Sequence, residues 1–168
     1  MSGLSQSPSI RLEITTFRDG PLAALGHNLR LSATVVPVNV SQGSIRVDID
    51  CQSIGVLGAV SDQASDLKPL PRKHRREILK IIRERVLRTE LHPKASFEGQ
   101  IEGSWIIGQL RLLGRQQAVK LEVSHSQSGW HGQGRLKPSR WGIEPYSTFF
   151  GALRVRDDVL IECWVGDE

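Results

Sequence analysis

Residues 108–123 read Gly108-Gln109-Leu110-Arg111-Leu112-Leu113-Gly114-Arg115-Gln116-Gln117-Ala118-Val119-Lys120-Leu121-Glu122-Val123. Apolar and polar side chains take turns on either side of Gly114. Successive side chains of an extended chain point to opposite faces, so this alternation describes strands with one face on a core or cavity and the other in water. Two such runs joined by a short glycine-containing link read as an antiparallel hairpin. The pattern continues outward as strands over 95–102, 104–113, 117–125, 130–139 and 152–165, with Gly103, Gly114 and Gly129 in the connections. The last of these is long enough to bend or to pair with its own first half.

Upstream, Ile10, Leu12 and Ile14 alternate with Arg11, Glu13 and Thr15. His27, Leu29, Leu31, Ala33 and Val35 then alternate with Asn28, Arg30, Ser32 and Thr34, until Pro37 ends the strand or leaves it at an edge. Residues 44–51 alternate most cleanly, with Arg46, Asp48 and Asp50 on the wet face. Asp19-Gly20-Pro21 and Ser41-Gln42-Gly43 are turn signals. The expected fold is mainly β, with about eight antiparallel strands in a barrel or a sandwich, and closing a barrel removes vulnerable edges.

One segment breaks the period of two. After Pro69-Leu70-Pro71, the residues Ile78, Ile81, Ile82 and Val86 recur at helical spacing. They predict an amphipathic helix over about 72–89, inserted among the strands and ending before His92-Pro93. Ile78, Ile82 and Val86 form its protein-facing stripe, with Ile81 at the edge. Residues 72–88 also hold eight Lys/Arg and two acids, so the remaining 14 basic and 16 acidic residues leave a body of formal charge −2 within a chain of +4. The basic face reads as solvated, or as attracted to an anionic membrane surface or phosphate-bearing lipid. Nucleic acid is not expected, because the helix has no aromatic side chain to stack on bases.

A chain of 168 residues with 39% apolar and 24% charged content suits one domain over 1–168. The N-terminus lacks the basic start and apolar run of a signal peptide, and no stretch approaches the ~20 apolar residues of a membrane helix. The expected location is the cytoplasm. Cys51 and Cys163 fall in phase with apolar neighbours and read as buried, reduced thiols. The five histidines are far apart in sequence, and no GxSxG, P-loop or GxGxxG motif is present, so neither a metal nor a catalytic centre is expected.

Two polar residues stand out. His27 shares the phase of Leu29 and Leu31, which makes it either a rim histidine satisfied by backbone or a contact to a ligand head group. Arg140, before Trp141-Gly142-Ile143 in what reads as a buried strand, is either an ion-pair partner or a contact to an anionic head group.

Read end to end, the sequence resembles the YceI-like family. The resemblance rests on Gly26-His27 at the start of an early strand, Val47-Asp48-Ile49-Asp50-Cys51-Gln52-Ser53-Ile54, and Leu87 through Pro93 to Phe97. It continues in the G-x-L-x-L-x-G segment at 108–114, in Arg140-Trp141-Gly142-Ile143, and in Asp157-Asp158-Val159-Leu160-Ile161. Many relatives carry His where Leu113 stands. The resemblance implies an antiparallel, lipocalin-like barrel of about eight strands with one inserted helix, which holds a long isoprenoid, quinone or other lipid and catalyses nothing. It thus implies an apolar or lipid ligand and no further cofactor; a homodimer stands beside it as a separate expectation. The residues expected to bind are His27, Leu29, Leu31, Val47, Ile49, Phe97, Leu121, Arg140 and Trp141. The alternative is an interaction module with a solid barrel, whose basic helix docks an acidic partner or a membrane surface.

Overall fold

The alternating segments become eight long strands in the computed structural model of the protein, which describes residues 9–20, 26–41, 43–63, 65–148 and 151–166. In chain order the strands are β1 (Ser9–Asp19), β2 (Asn28–Ser41), β3 (Ser44–Val60), the two-residue β4 (Leu67–Lys68) and β5 (Lys94–Glu102). There follow β6 (Trp105–Leu112), β7 (Arg115–Ser126), β8 (Gly129–Leu136), the two-residue β9 (Ser147–Thr148) and β10 (Leu153–Gly166). All pairings are antiparallel, and β1 meets β10 with Ile14 opposite Ile161, so the eight long strands close into a barrel. Met1–Pro8, together with Pro21 and Gln42 of the two expected turns, lie outside the described residues.

The hairpin that decides the fold turns at Leu113 and Gly114, with φ of 50° and 73°. A two-residue link with both φ values positive matches the right-handed twist of the flanking strands. Glycine adopts that conformation freely, whereas leucine is strained there. Leu113→Asn should therefore raise stability by about 0.5–1 kcal/mol, read as a higher urea midpoint at unchanged slope. A lower midpoint would show that the half-buried leucine contributes more by packing than it loses to strain.

Two sequence expectations change and a third is narrowed. First, β3 runs on from Cys51 to Val60. Opposite it, β2 steps from Ser32 to Thr34 while the partner jumps from Gly55 to Asp50, and this bulge hides the strand's second half by shifting its phase. Second, the expected strand over 130–139 ends at Leu136, and Pro138–Trp141 form a 3₁₀ turn closed by Gly142 at φ 83°. Proline has no N–H for a ladder, and its fixed φ suits the first turn of a helix. Third, β10 does not pair with itself. It joins β1 on one side and β8 on the other, and it bends at a register shift opposite Thr16–Arg18.

The inserted helix is α1 (Arg72–Ile81), continued by a π turn at Ile82–Val86. It ends short of residue 89 because Arg88 takes φ 47°, and the Thr89 N–H reaches back to the Arg83 carbonyl at 2.9 Å. Buried apolar side chains gather in two clusters on either side of the barrel. Leu31, Ile54, Val56, Leu70 and Ile82 pack on the helix side. Ile106, Val119, Leu121, Val123 and Trp141 pack across from them.

Candidate functional site

Between these clusters the barrel is hollow. Eight strands enclose an interior just wide enough to be filled by side chains or to hold one small ligand, so the inward residues decide which. Here they leave a cavity of about 530 Å³, within the ~300–1,000 Å³ common for ligand sites. Its wall is almost wholly apolar. β1 supplies Ile10, Leu12 and Ile14, β2 supplies Leu29, Leu31, Ala33 and Val35, and β3 supplies Ile45, Val47 and Ile49. Phe97, Leu121 and Trp141 complete it with residues of β6, β8 and β10. The alternative of a solid barrel therefore loses its premise.

The space is made by glycines that the alternation did not single out. Gly99 and Gly108 face each other across β5 and β6, and the Phe97 ring lies where their side chains would be, 2.8 Å and 2.7 Å from an added Cβ. On β8, Gly132 leaves room for the Cys163 sulfur and Gly134 for Leu121, at 2.9 Å and 2.6 Å on the same measure. Four inward positions without side chains let large neighbours lie against the wall instead of filling the centre.

Trp141 is the best-anchored part of the lining. It is 1% exposed, and its indole N–H donates to the Leu110 carbonyl at 2.9 Å. The 3₁₀ turn holds it over β6 and β7, at the end of the barrel that also carries the helix (here the upper end). Truncation to Ala should cost about 3–5 kcal/mol, and a thermal melt within a degree of wild type would contradict this packing.

The polar part of the lining gathers at the same upper end, in Arg18, His27, Glu144, Arg154, Arg156 and Asp157. His27 is exposed and sits just ahead of β2. Arg18 continues the inward phase of Ile10, Leu12 and Ile14. It donates to the Gly26 carbonyl at 2.9 Å and meets Asp62 at 3.5 Å, while buried Asn28 accepts the Arg18 backbone N–H at 2.8 Å and donates to Asp62 at 2.9 Å. Arg154 pairs with Asp19 at 3.5 Å. The Gly20 N–H, and after it Arg154, holds the Asp19 carboxyl below its ordinary range. Sequence reasoning missed Arg18, Arg154 and Arg156, which stand at or within apolar runs.

Eight of the nine residues expected to bind a ligand line this cavity: His27, Leu29, Leu31, Val47, Ile49, Phe97, Leu121 and Trp141. Arg140 is placed elsewhere. It is exposed, its guanidinium donates to the Ala118 carbonyl at 3.0 Å, and its own carbonyl accepts from Gln117 at 3.0 Å. It thereby fastens the 3₁₀ turn to β7; among the described residues it has no ion-pair partner, and it does not line the cavity. The reason is the turn itself, which replaces the alternation of a strand and turns Arg140 away from the cavity while Trp141 stays in its wall.

Cys51 and Cys163 are free, and both line the cavity. Burial first of all pushes both thiols above their ordinary value of 9.0. A raised folded value means that the stability these protons confer is intact below pH 9.0 and falls as pH rises beyond it. Maleimide labelling of native protein at neutral pH should be slower than in denaturant by on the order of tenfold or more, and equal rates would contradict the burial of Cys51 and the part-burial of Cys163. Among the described residues, no group of three or more His, Cys, Asp or Glu is placed to hold a metal ion. No helix is long and apolar enough to cross a membrane.

The barrel is similar to the crystal structure of Burkholderia cenocepacia BcnA, with a TM-score of 0.61 and 14% identity over 95% of this chain and 96% of that one. It is also similar to a polyisoprenoid binding domain from Saccharophagus degradans implicated in plant cell wall breakdown, with a TM-score of 0.59 and 11% identity over 93% of this chain and 91% of that one. At these identities the likeness is one of fold. No curated protein sequence matches. The model of the YceI-like domain matches residues 9–165, from the first residue of β1 to the penultimate residue of β10, and the chain belongs to the YceI-like family.

Proposed function

We propose that this protein binds and carries a long apolar ligand of the polyisoprenoid class, such as a prenyl chain or an isoprenoid quinone, without catalysing a reaction on it. The observation that carries the reading is the cavity of about 530 Å³ with an apolar wall and a polar rim at one end. An apolar chain gains about 0.8 kcal/mol for each methylene removed from water, so length alone supports tight binding. The polar groups beside His27 would meet a head group, while Leu29, Leu31, Val47, Ile49, Phe97, Leu121 and Trp141 would surround the chain. The polyisoprenoid binding domain of similar fold supports this ligand class. The unpaired thiols fit a reducing compartment such as the cytoplasm.

Trp141 supplies the test. Its indole forms part of the cavity wall, so titration with a polyprenol should change its emission saturably, and Trp141→Phe should remove the change. A polyprenol that gives no saturable signal and no retention in gel filtration would overturn the reading.

A further inference from the structure

The barrel wall changes character between β3 and β5. The two strands pair only from Ser44–Gln100 to Asp50–Lys94, and the Cys51 N–H adds one more bond to the Pro93 carbonyl at 2.9 Å. β3 then runs on to Val60, with β4 beside only Ala59 and Val60. Among the described residues, no strand flanks Gln52–Gly58 on that side. The helix covers this stretch. Ile78 of α1, Ile82 of the π turn and Leu87 just after it pack with Leu31, Ile54 and Val56, and Ile78, Ile82 and Leu87 also line the cavity. No residue of α1 is fully buried. Arg83 Nη2 donates to the Ile54 carbonyl at 3.3 Å, where a neighbouring strand would have paired. Lifting the helix would therefore expose the ligand space while breaking no β-ladder. The π turn and Arg88 at φ 47°, where the helix rejoins the barrel, give it an irregular base of the kind that recurs at functional sites.

Arg72, Lys73, Arg76 and Lys80 are exposed on this helix, and no acid occupies its first turn. We infer that the helix is the door to the cavity, and that its basic face seats the door on an anionic bilayer, so that the ligand passes between bilayer and barrel without crossing water. The inference rests on the lipid-binding reading above. Charge complementarity selects the surface: each cation near an anionic bilayer is worth about fivefold in partitioning. Continuity of the helix with the cavity says why a bilayer, which stores apolar ligands, is the partner.

The test follows a dansyl-labelled polyprenol as it moves from vesicles into the protein. Donor vesicles are phosphatidylcholine alone, or phosphatidylcholine mixed with phosphatidylglycerol. Wild-type protein should take up the probe faster from the mixed vesicles, and added salt should remove the difference. The combined Arg72→Gln, Lys73→Gln, Arg76→Gln and Lys80→Gln variant should partition onto mixed vesicles on the order of several hundredfold more weakly. It should lose the faster uptake while keeping its equilibrium affinity for the probe in detergent. Arg83→Met should release bound probe faster in the absence of vesicles. Equal uptake from the two vesicle types, an unaltered quadruple variant, or binding to an oligonucleotide with no vesicle effect would each overturn the door. Wild-type protein that fails to bind the probe even in detergent would instead overturn the lipid-binding reading beneath it.

Discussion

Ile82→Asp is expected to destabilise the protein by about 3–5 kcal/mol, seen as a large drop in the urea midpoint of tryptophan fluorescence. Ile82 stands where α1 passes into the π turn and is the buried residue of that turn. It packs with Leu31, Ile54, Val56 and Leu70, so the change removes a core side chain and places a carboxylate among groups that cannot solvate it. Lys80→Gln, two residues away and exposed, should move the midpoint by no more than the ~0–1 kcal/mol of a surface charge. If Ile82→Asp unfolds at the wild-type midpoint, the helix does not pack on the barrel and cannot close it.

Ala33→Trp is expected to weaken ligand binding by on the order of a hundredfold while leaving the barrel folded. Ala33 faces the cavity from β2, opposite the β3 bulge, so an indole there would project into the space between the two clusters. Displacing a chain from the room of three or four methylenes costs about 3 kcal/mol, which is that factor in Kd. Isothermal titration with a polyprenol, beside a far-ultraviolet dichroism spectrum, separates loss of binding from loss of fold. Unchanged affinity in a folded variant would place the ligand outside the barrel.

The barrel was legible in the sequence because alternation reports directly on which face of a strand is wet. Runs such as Ile10-Leu12-Ile14 and Val119-Leu121-Val123 needed no tertiary information to orient. Where the pattern slips, legibility ends. The bulge at Cys51–Ile54 shifts β3 by an odd step, so the alternation of 44–51 does not carry through to its second half from Gly55 to Val60. The turn at Pro138–Trp141 exchanged one period for another, which took Arg140 out of the cavity wall while Pro138 and Trp141 line it.

Whether the barrel is hollow was harder to read than its closure. Alternation marks Leu29, Leu31 and Ile49 as inward, but an inward side chain fills a core as readily as it lines a cavity. The deciding signal was the inward phase of Gly99, Gly108, Gly132 and Gly134, which only the cross-strand register exposes. Gly108 is the tightest of these, since a Cβ there would meet the Glu98 carbonyl oxygen. Beyond His27 the polar rim had no sequence signature, because Arg18 and Arg154 come from opposite ends of the chain and are brought together only by the β1–β10 pairing.

Native mass spectrometry of the protein purified from cells under non-denaturing conditions separates a lipid site from an empty barrel. A bound species should be retained in gentle ionisation, lost on collisional activation, and identified in the organic extract as an isoprenoid or another long-chain lipid. Ala33→Trp prepared in parallel should carry little of it. Protein that arrives bare from cells, and stays bare after incubation with polyprenols and isoprenoid quinones, would contradict the claim that this cavity is a lipid site.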